Sequence, residues 1–306
     1  MNLREIFQET RIVCKKNSSV FLGFNLAIFA VFFAVCVAFT FVGVEWSFLL
    51  IFGSFALVIP MFIGIDFIAK KAVNSEEIDY RDFYLGHRNF LTSISLETKV
   101  LTRGVLFAIL GVFATSFLGI GAVIYYIILE YPEISNLVNQ VMAQKETMET
   151  LVKAISSIGW FETAINIVDT LSLVVGAICY IWQGKRYIFL PYICLETRFN
   201  LQTALYLSKE SSDSIKKPLF GYNILYLLII LLVIGVSIGA YHLSLLLFVE
   251  KISLVVAYAV ACLLLAPVFM EYKVSLYVIY AKNFKTEIDH AFKMKMEEVK
   301  QNTNIK

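Results

Sequence analysis

Six long apolar runs separated by polar segments dominate the hydrophobic pattern of the chain. Each run is close to or longer than the roughly 20 residues that an α-helix needs to cross about 30 Å of hydrocarbon. Backbone amides in lipid need internal partners, and the runs lack the alternation of barrel strands, so helices are expected. The pattern predicts an all-α polytopic membrane bundle, one integral-membrane domain over 1–306, with spans at 20–42, 48–68, 100–129, 164–182, 219–248 and 252–281.

Segments of mixed polarity lie between these runs. Apolar residues at helical spacing predict interfacial helices at 3–13, 78–96 and 199–211, each one just before an odd-numbered span. Pro132 is placed to start an extracytoplasmic amphipathic helix over 132–158, which is either a lid or docking site or a helix packed across the bundle. A cytoplasmic tail, 284–306, has the pattern of another interfacial helix.

Basic residues are distributed unequally between the two sides of this topology. One side carries most of the lysines and arginines, including both terminal segments, whereas the other carries only Lys145, Lys153 and Lys251. Because cytoplasmic loops are enriched in Lys and Arg, both termini are predicted to be cytoplasmic. The expected location is the plasma membrane of a bacterial cell, crossed several times.

Short stretches recur at the start of the odd-numbered spans. Phe-Leu-Gly-Phe-Asn at 21–25 matches Leu-Phe-Gly-Tyr-Asn at 219–223, with Leu-Thr-Arg-Gly-Val at 101–105 as a weaker third member. Even-numbered spans share Ile-Pro-Met-Phe at 59–62 and Ala-Pro-Val-Phe at 266–269. The pattern predicts a threefold repeat of an interfacial helix plus a membrane hairpin. Chance similarity among segments rich in Phe and Leu is the alternative.

Composition and motifs narrow the function classes. The chain is 59% hydrophobic and 16% charged, against roughly 25% charged residues in soluble domains. Its net charge of +2, without a basic stripe, argues against binding to nucleic acid. Cysteine pairs with metal-site spacing and motifs of nucleophilic or phosphate chemistry are absent from the sequence, and the three histidines are far apart. The sequence therefore predicts no enzyme, no cofactor and no metal site.

Ionisable residues within spans are costly in lipid and are therefore the first functional candidates. Asp66, Arg186, Glu271 and Lys273 lie near the cytoplasmic ends of the even-numbered spans, where they would line a polar inner cavity. The alternative is local pairing of Asp66 with Lys70 at i,i+4 and of Glu271 with a neighbouring cation, with the cations at 185–186 extending to the interface.

A second polar set lies nearer the outer side of span four. Asn166, Asp169 and Thr170 share one helix face, because residues three and four apart are neighbours. We expect this face to be buried in the bundle or wet, either as part of a solute path or as a structural hydrogen-bond network.

Small residues predict close helix contacts. Gly235 and Gly239 form a GxxxG pattern, and Gly23 and Gly221 occupy matching positions of the repeat. Three further glycines cluster on span three: Gly111, Gly119 and Gly121.

The motif Tyr-Arg-Asp-Phe-Tyr-Leu-Gly at 80–86, and the stretch 204–209 leading into 219–223, resemble a bacterial family of six-span integral-membrane proteins. That poorly characterised family is related to the membrane domain of membrane-bound glycerophosphodiester phosphodiesterases. The resemblance implies a six-helix bundle with interfacial helices and without an activity of its own, since catalysis in the phosphodiesterases belongs to a separate soluble domain.

Two functions are compatible with the sequence. The first is a non-enzymatic membrane protein that handles lipid or another amphipathic solute, or assists a transporter that does. The second is a scaffold or assembly subunit that binds partner proteins through the outer helix or the tail. Membrane lipids and a membrane or cytosolic protein are the expected partners.

Overall fold

The structure, a computed structural model, describes residues 3–41, 44–197, 201–290 and 292–294, with the side chains of all these except residues 3, 44–52 and 55. The described residues form α-helices joined by short turns, as predicted. Their bounds are α1 Leu3–Lys16, α2 Ser18–Phe41, α3 Val44–Val73, α4 Leu85–Arg88, α5 Phe90–Glu130, α6 Pro132–Met142, α7 Met148–Ser156, α8 Phe161–Gly184, α9 Leu190–Glu196, α10 Leu201–Ser214, α11 Lys216–Ser244 and α12 Glu250–Asn283, with 3-10 helices at Tyr80–Tyr84 and Lys185–Tyr187.

Five stretches of helix are long and apolar enough to cross a membrane: Ser18–Phe41, Phe90–Glu130, Phe161–Glu196, Lys216–Ser244 and Glu250–Asn283. They contain predicted spans three, four and six, and almost all of span one, whose last residue lies outside the described residues. Span five, predicted at 219–248, ends four residues earlier, at Ser244. Span two, predicted at 48–68, falls within the 30-residue helix α3. The chain is therefore a multi-pass helical membrane protein.

Contacts divide the described chain into two compact units. The first consists of Met1–Leu101 and Lys185–Lys306, and the second is Thr102–Gly184. Helix α5 begins in the first unit and continues into the second.

In the first unit, the well-packed core lies at one end, where α1, α9 and parts of α2, α3, α11 and α12 meet. We call this the core end. Every residue from Val274 to Tyr280 in α12 is buried, so this part of the helix is enclosed on all sides. Farther along the same helices, large apolar side chains such as Phe39, Leu232 and Leu263 are exposed. Exposed apolar surfaces of this kind mark contacts with lipid or with another protein.

The matched stretches at 21–25 and 219–223 have the same orientation in α2 and α11. Phe21 and Phe24 are buried, as are Leu219 and Tyr222, because residues three apart share a helix face. The glycine between each buried pair faces away. The similarity in sequence thus corresponds to the same burial pattern in two helices.

That orientation corrects the prediction that four glycines mark close helix contacts. A Cβ atom added at Gly23, Gly221, Gly235 or Gly239 would meet no atom within 4 Å among the described residues. All four lie on faces opposite to the buried positions of α2 and α11.

Close contact through glycine occurs instead beside α3. A Cβ at Gly64 would lie 2.1 Å from the carbonyl oxygen of Phe83, and one at Gly86 would lie 1.8 Å from that of Pro60. The predicted interfacial helix 78–96 is therefore divided into a 3-10 helix, α4 and the start of α5, with the first two packed on α3. The capping box at Asp79 starts this arrangement.

In the second unit, glycines bring α5 and α8 together. Added Cβ atoms at Gly104, Gly111 and Gly119 would lie within 3.0 Å of side-chain atoms of α8. Among the three glycines predicted on span three, Gly111 and Gly119 make such contacts, whereas nothing lies within 4 Å of a Cβ at Gly121. Ser116 also donates a 2.9 Å hydrogen bond to Ser172.

The segment between α5 and α8 forms two helices, α6 and α7, where one extracytoplasmic helix over 132–158 was predicted. Gln144 has a positive φ of 56°, and the Thr147 side chain accepts from the Thr150 amide as an N-cap of α7. The apolar spacing of Val141 and Met148 continues across this break, so periodicity alone does not reveal it.

Candidate functional site

A buried ion pair joins α3 to α12 at the core end. Asp66 is fully buried, and the Nζ atom of Lys273 lies 2.9 Å from each of its carboxylate oxygens. The Lys273 side chain is 12% exposed. Because a lone charge of either sign is strongly disfavoured in such surroundings, the two groups depend on one another.

Two phenylalanines cover this pair. The rings of Phe62 and Phe269 lie 5.2 Å apart, and the Lys273 ammonium is 5.8 Å and 5.7 Å from their centroids. Both distances are within the range of cation–π attraction. Asp66 follows Phe62 by four residues, just as Lys273 follows Phe269, so the pair occupies matching positions of the two proline-containing stretches.

The alternative pairing of Asp66 with Lys70 is not formed. Lys70 instead lies 3.3 Å from the Glu196 carboxylate and donates a 3.1 Å hydrogen bond to the Leu195 carbonyl. Both partners belong to α9, which is packed against α3. Lys70 therefore pairs with a residue of another helix and not with Asp66, its neighbour at i,i+4.

Two groups at the ion pair were missed by the sequence analysis. Glu97 of α5 is 2% exposed and interacts electrostatically with both Lys273 and Asp66. Tyr192 of α9 is buried, and its hydroxyl donates a 3.0 Å hydrogen bond to the Lys273 carbonyl. Span three was predicted to begin at 100, which left Glu97 outside it. The absence of Pro and Gly between Phe90 and Val100 was the available signal that the helix starts earlier.

We call Asp66, Glu97 and Lys273 the inner charged cluster. It brings two carboxyl groups and one ammonium group into a core of apolar and aromatic side chains. Such a set can bind a proton or a small polar group, since charges in a low-dielectric site interact strongly.

A second polar network lies beside it at the core end. The Glu196 carboxylate accepts a short hydrogen bond from the Tyr277 hydroxyl and also lies 3.4 Å from the Lys285 ammonium. Lys285 further donates to the Asn74 side chain at 3.2 Å, and Asn74 donates to Tyr277 at the same distance. These bonds connect α3, α9, α12 and the segment after α12. Each polar side chain in this network has a hydrogen-bond or ion-pair partner, which is typical of a structural network.

The other candidates near the core end do not join the cluster. Glu271 is exposed on α12 and interacts with Arg11 of α1. Burial raises the pKa of the nearby Cys14 thiol to about 11, and the Glu271 carboxylate adds to this increase. Arg186 lies 3.9 Å from Asp213. Of the four residues predicted to line an inner cavity, only Asp66 and Lys273 meet.

Lys185 is also buried instead of extending to the interface. Its ammonium donates to the Lys216 carbonyl at 3.5 Å and lies 4.9 Å from the ring centroid of Phe220.

The polar face of span four belongs to the second unit. Asn166, Asp169 and Thr170 are all exposed on α8, and the Thr170 hydroxyl donates a 2.8 Å hydrogen bond to the Asn166 carbonyl of its own helix. Within this unit the expected burial does not occur.

Among the described residues, no group of three His, Cys, Asp or Glu side chains is placed to hold a metal ion. Comparisons with protein-family models, curated proteins and solved structures found no match for this chain.

Proposed function

We propose that this membrane protein handles lipid or another amphipathic solute, alone or as the assistant of a transporter, without catalysing a reaction. The inner charged cluster supports the proposal, because charged side chains buried among membrane-spanning helices are a common feature of solute and proton paths. Polar groups of the solute would be held by Asp66 and Lys273, and its apolar part would lie against the exposed apolar faces of the helices. The resemblance to membrane domains that lack an activity of their own is consistent with this role.

A purely structural role for the ion pair is the competing explanation. Buried ion pairs contribute little net stability compared with neutral residues of similar size, so packing alone is a weak reason for placing one here. The structural role predicts that replacing both charges leaves the properties of the protein unchanged.

Lipid analysis of the purified protein separates these explanations. The double variant Asp66→Asn/Lys273→Gln removes both charges together, so that neither is left unpaired. We expect mass spectrometry to find a specific class of lipid or amphipathic molecule with the wild type purified in mild detergent, and at least a tenfold loss with the folded double variant.

The matched control removes an exposed ion pair, Glu149 with Lys153, whose side chains are each 76% exposed. The variant Glu149→Gln/Lys153→Gln should retain the bound molecule. Equal retention by both double variants would contradict the proposal.

A scaffold function is the second candidate, and one observation favours it. Helices α6 and α7, which lie outside the candidate spans, expose Met142, Met148 and Val152. Exposed apolar side chains outside the membrane are characteristic of protein contacts. If scaffolding is the function, replacing these three residues by Ser should abolish recovery of a stoichiometric protein partner, while the double variant of the ion pair should not.

A further inference from the structure

The inner charged cluster contains one more acidic group than it has cations. Asp66 and Glu97 are 0% and 2% exposed, and both interact with the same ammonium group of Lys273. That ammonium lies 2.9 Å from both oxygens of Asp66. With both carboxyl groups ionised, the cluster would carry a net charge of −1 inside the core.

Glu97 is the acidic group in excess. Its Oε1 atom is buried and has no hydrogen-bond partner among the described residues. The charged groups that face it are Asp66 from α3, which repels a negative charge, and Lys273 from α12, which attracts one. Tyr192 from α9 donates a hydrogen bond to the Lys273 carbonyl and also interacts with the Asp66 carboxyl group.

An ionised carboxyl group in this position would be strongly disfavoured, since the desolvation of a buried charge is not offset without a close partner. Either a proton or a metal ion could neutralise it. Metal ions with oxygen ligands need several of them at once, and the described residues include no set of three acidic, His or Cys groups placed for one. A proton needs only one carboxylate oxygen, so the geometry favours a proton.

We propose that Glu97 is a proton-binding site whose occupancy is controlled by the Asp66–Lys273 pair. While Lys273 is ion-paired with Asp66, Glu97 is a neutral carboxylic acid. A cationic head group that binds Asp66 releases Lys273, which then pairs with Glu97, and the Glu97 proton leaves as H⁺ to water. This exchange balances the charge at each step. The exchange makes the proposed function more specific. Its first step, the binding of a cationic solute, rests on that function.

Infrared difference spectroscopy on the full-length protein in phosphatidylcholine vesicles tests the proton directly, with no solute present. The wild type should show the carbonyl stretch of a buried carboxylic acid at neutral pH, and Glu97→Gln should lose it. Asp66→Asn should also lose it, because Lys273 becomes free to pair with Glu97. Lys273→Gln should keep or strengthen it, because both carboxyl groups then lack a cation.

The control Glu149→Gln changes a fully hydrated carboxyl group and should leave the spectrum as in the wild type. A band that is retained in folded Glu97→Gln would overturn the assignment, as would a signal that follows sodium concentration at constant pH. Absence of a bound lipid from the wild type, or its retention by the double variant of the ion pair, would argue against the proposed function without changing this spectrum, so the two failures can be told apart.

Dicyclohexylcarbodiimide adds a readout that needs no variant. The oxygen of a protonated carboxyl group in apolar surroundings adds to the central carbon of this reagent while its proton moves to a carbodiimide nitrogen. Peptide mass spectrometry of the wild type should find the adduct on Glu97, less so as the pH rises. Reaction at other carboxyl groups of the chain but not at Glu97 would overturn the proposal.

Discussion

Asp66 and Lys273 form a unit whose members depend on each other. Both lie in the core end, and both oxygens of the carboxylate are 2.9 Å from the ammonium. In such a pair the free energy of removing one charge differs greatly from that of removing both, because only the first change leaves a buried charge alone.

Stability measurements should show this difference. We expect Lys273→Gln to lower the free energy of unfolding by about 3–5 kcal/mol, because Asp66 is left without its cation, and Asp66→Asn/Lys273→Gln to recover most of that loss. Unfolding of the purified variants in the same detergent, followed by circular dichroism, is the measurement. A double variant less stable than the single one would disprove the dependence.

Gly86 is the second residue with a clear stability prediction. A Cβ atom would lie 1.8 Å from the Pro60 carbonyl oxygen, so Gly86→Ala must push α4 away from α3. We expect a loss of about 1–3 kcal/mol, as for other overpacked sites. Thermal unfolding of the variant beside the wild type measures it.

Gly221→Ala is the matched control, since nothing lies within 4 Å of its added Cβ atom. Alanine is a better helix former than glycine by up to about 1 kcal/mol, so this variant should be as stable as the wild type or more so. Equal melting temperatures for the wild type and both variants would show that α4 can move away from α3 without a loss of stability, and would contradict the prediction.

At the scale of helices, α12 is the central element of the first unit. It packs against α1, α2, α3 and α11, and its residues Val274–Tyr280 are enclosed on all sides. Outside the core end, its contact with α2 continues to Cys36 and Cys262, whose thiols are within hydrogen-bonding reach.

Oxidation should therefore link α2 to α12. In a variant that keeps only Cys36 and Cys262, copper phenanthroline should oxidise both thiols to a disulfide. With a protease site placed at the exposed turn 143–147, the cut halves should stay together on a non-reducing gel and separate on reduction. A variant that keeps Cys14 and Cys262 is the control, and equal linking in both variants would contradict the helix contact.

At the scale of the whole molecule, the unequal distribution of Lys and Arg predicts its orientation. The core end carries both described terminal segments, and the inside placement of basic residues would direct it to the cytoplasm. The proton released by Glu97 would then leave on the cytoplasmic side.

Labelling of single cysteines in intact cells tests this orientation. In a cysteine-free background, Glu146→Cys should react with a membrane-impermeant maleimide, because it lies in the turn between α6 and α7, which the distribution of basic residues predicts to be outside the cell. Asn302→Cys should react only after the cells are permeabilised. The reverse pattern would place the core end outside the cell.

The amino-acid sequence by itself determined the membrane-spanning helices and the similarity of the first turns of α2 and α11. An apolar run of about 20 residues must satisfy its own amides in lipid whatever its neighbours are, so helix formation there is a local property. The spacing of Phe21 and Phe24, like that of Leu219 and Tyr222, likewise predicts a buried face without a partner being known. Asp66 and Lys273 could be singled out on the same local grounds, as charges within apolar runs.

Only the tertiary structure decided which groups meet. Asp66 and Lys273 are 207 residues apart, and the choice of Lys273 over the nearby Lys70 depends on where α9 and α12 pack. Glu97 became a member of the cluster because α5 starts earlier than its apolar run and is buried there. In the first unit, the close glycine contacts occur at Gly64 and Gly86, where two backbones approach, and not at the GxxxG pattern. Each of these outcomes depends on distances between segments remote in the chain, which local hydrophobic patterns do not contain.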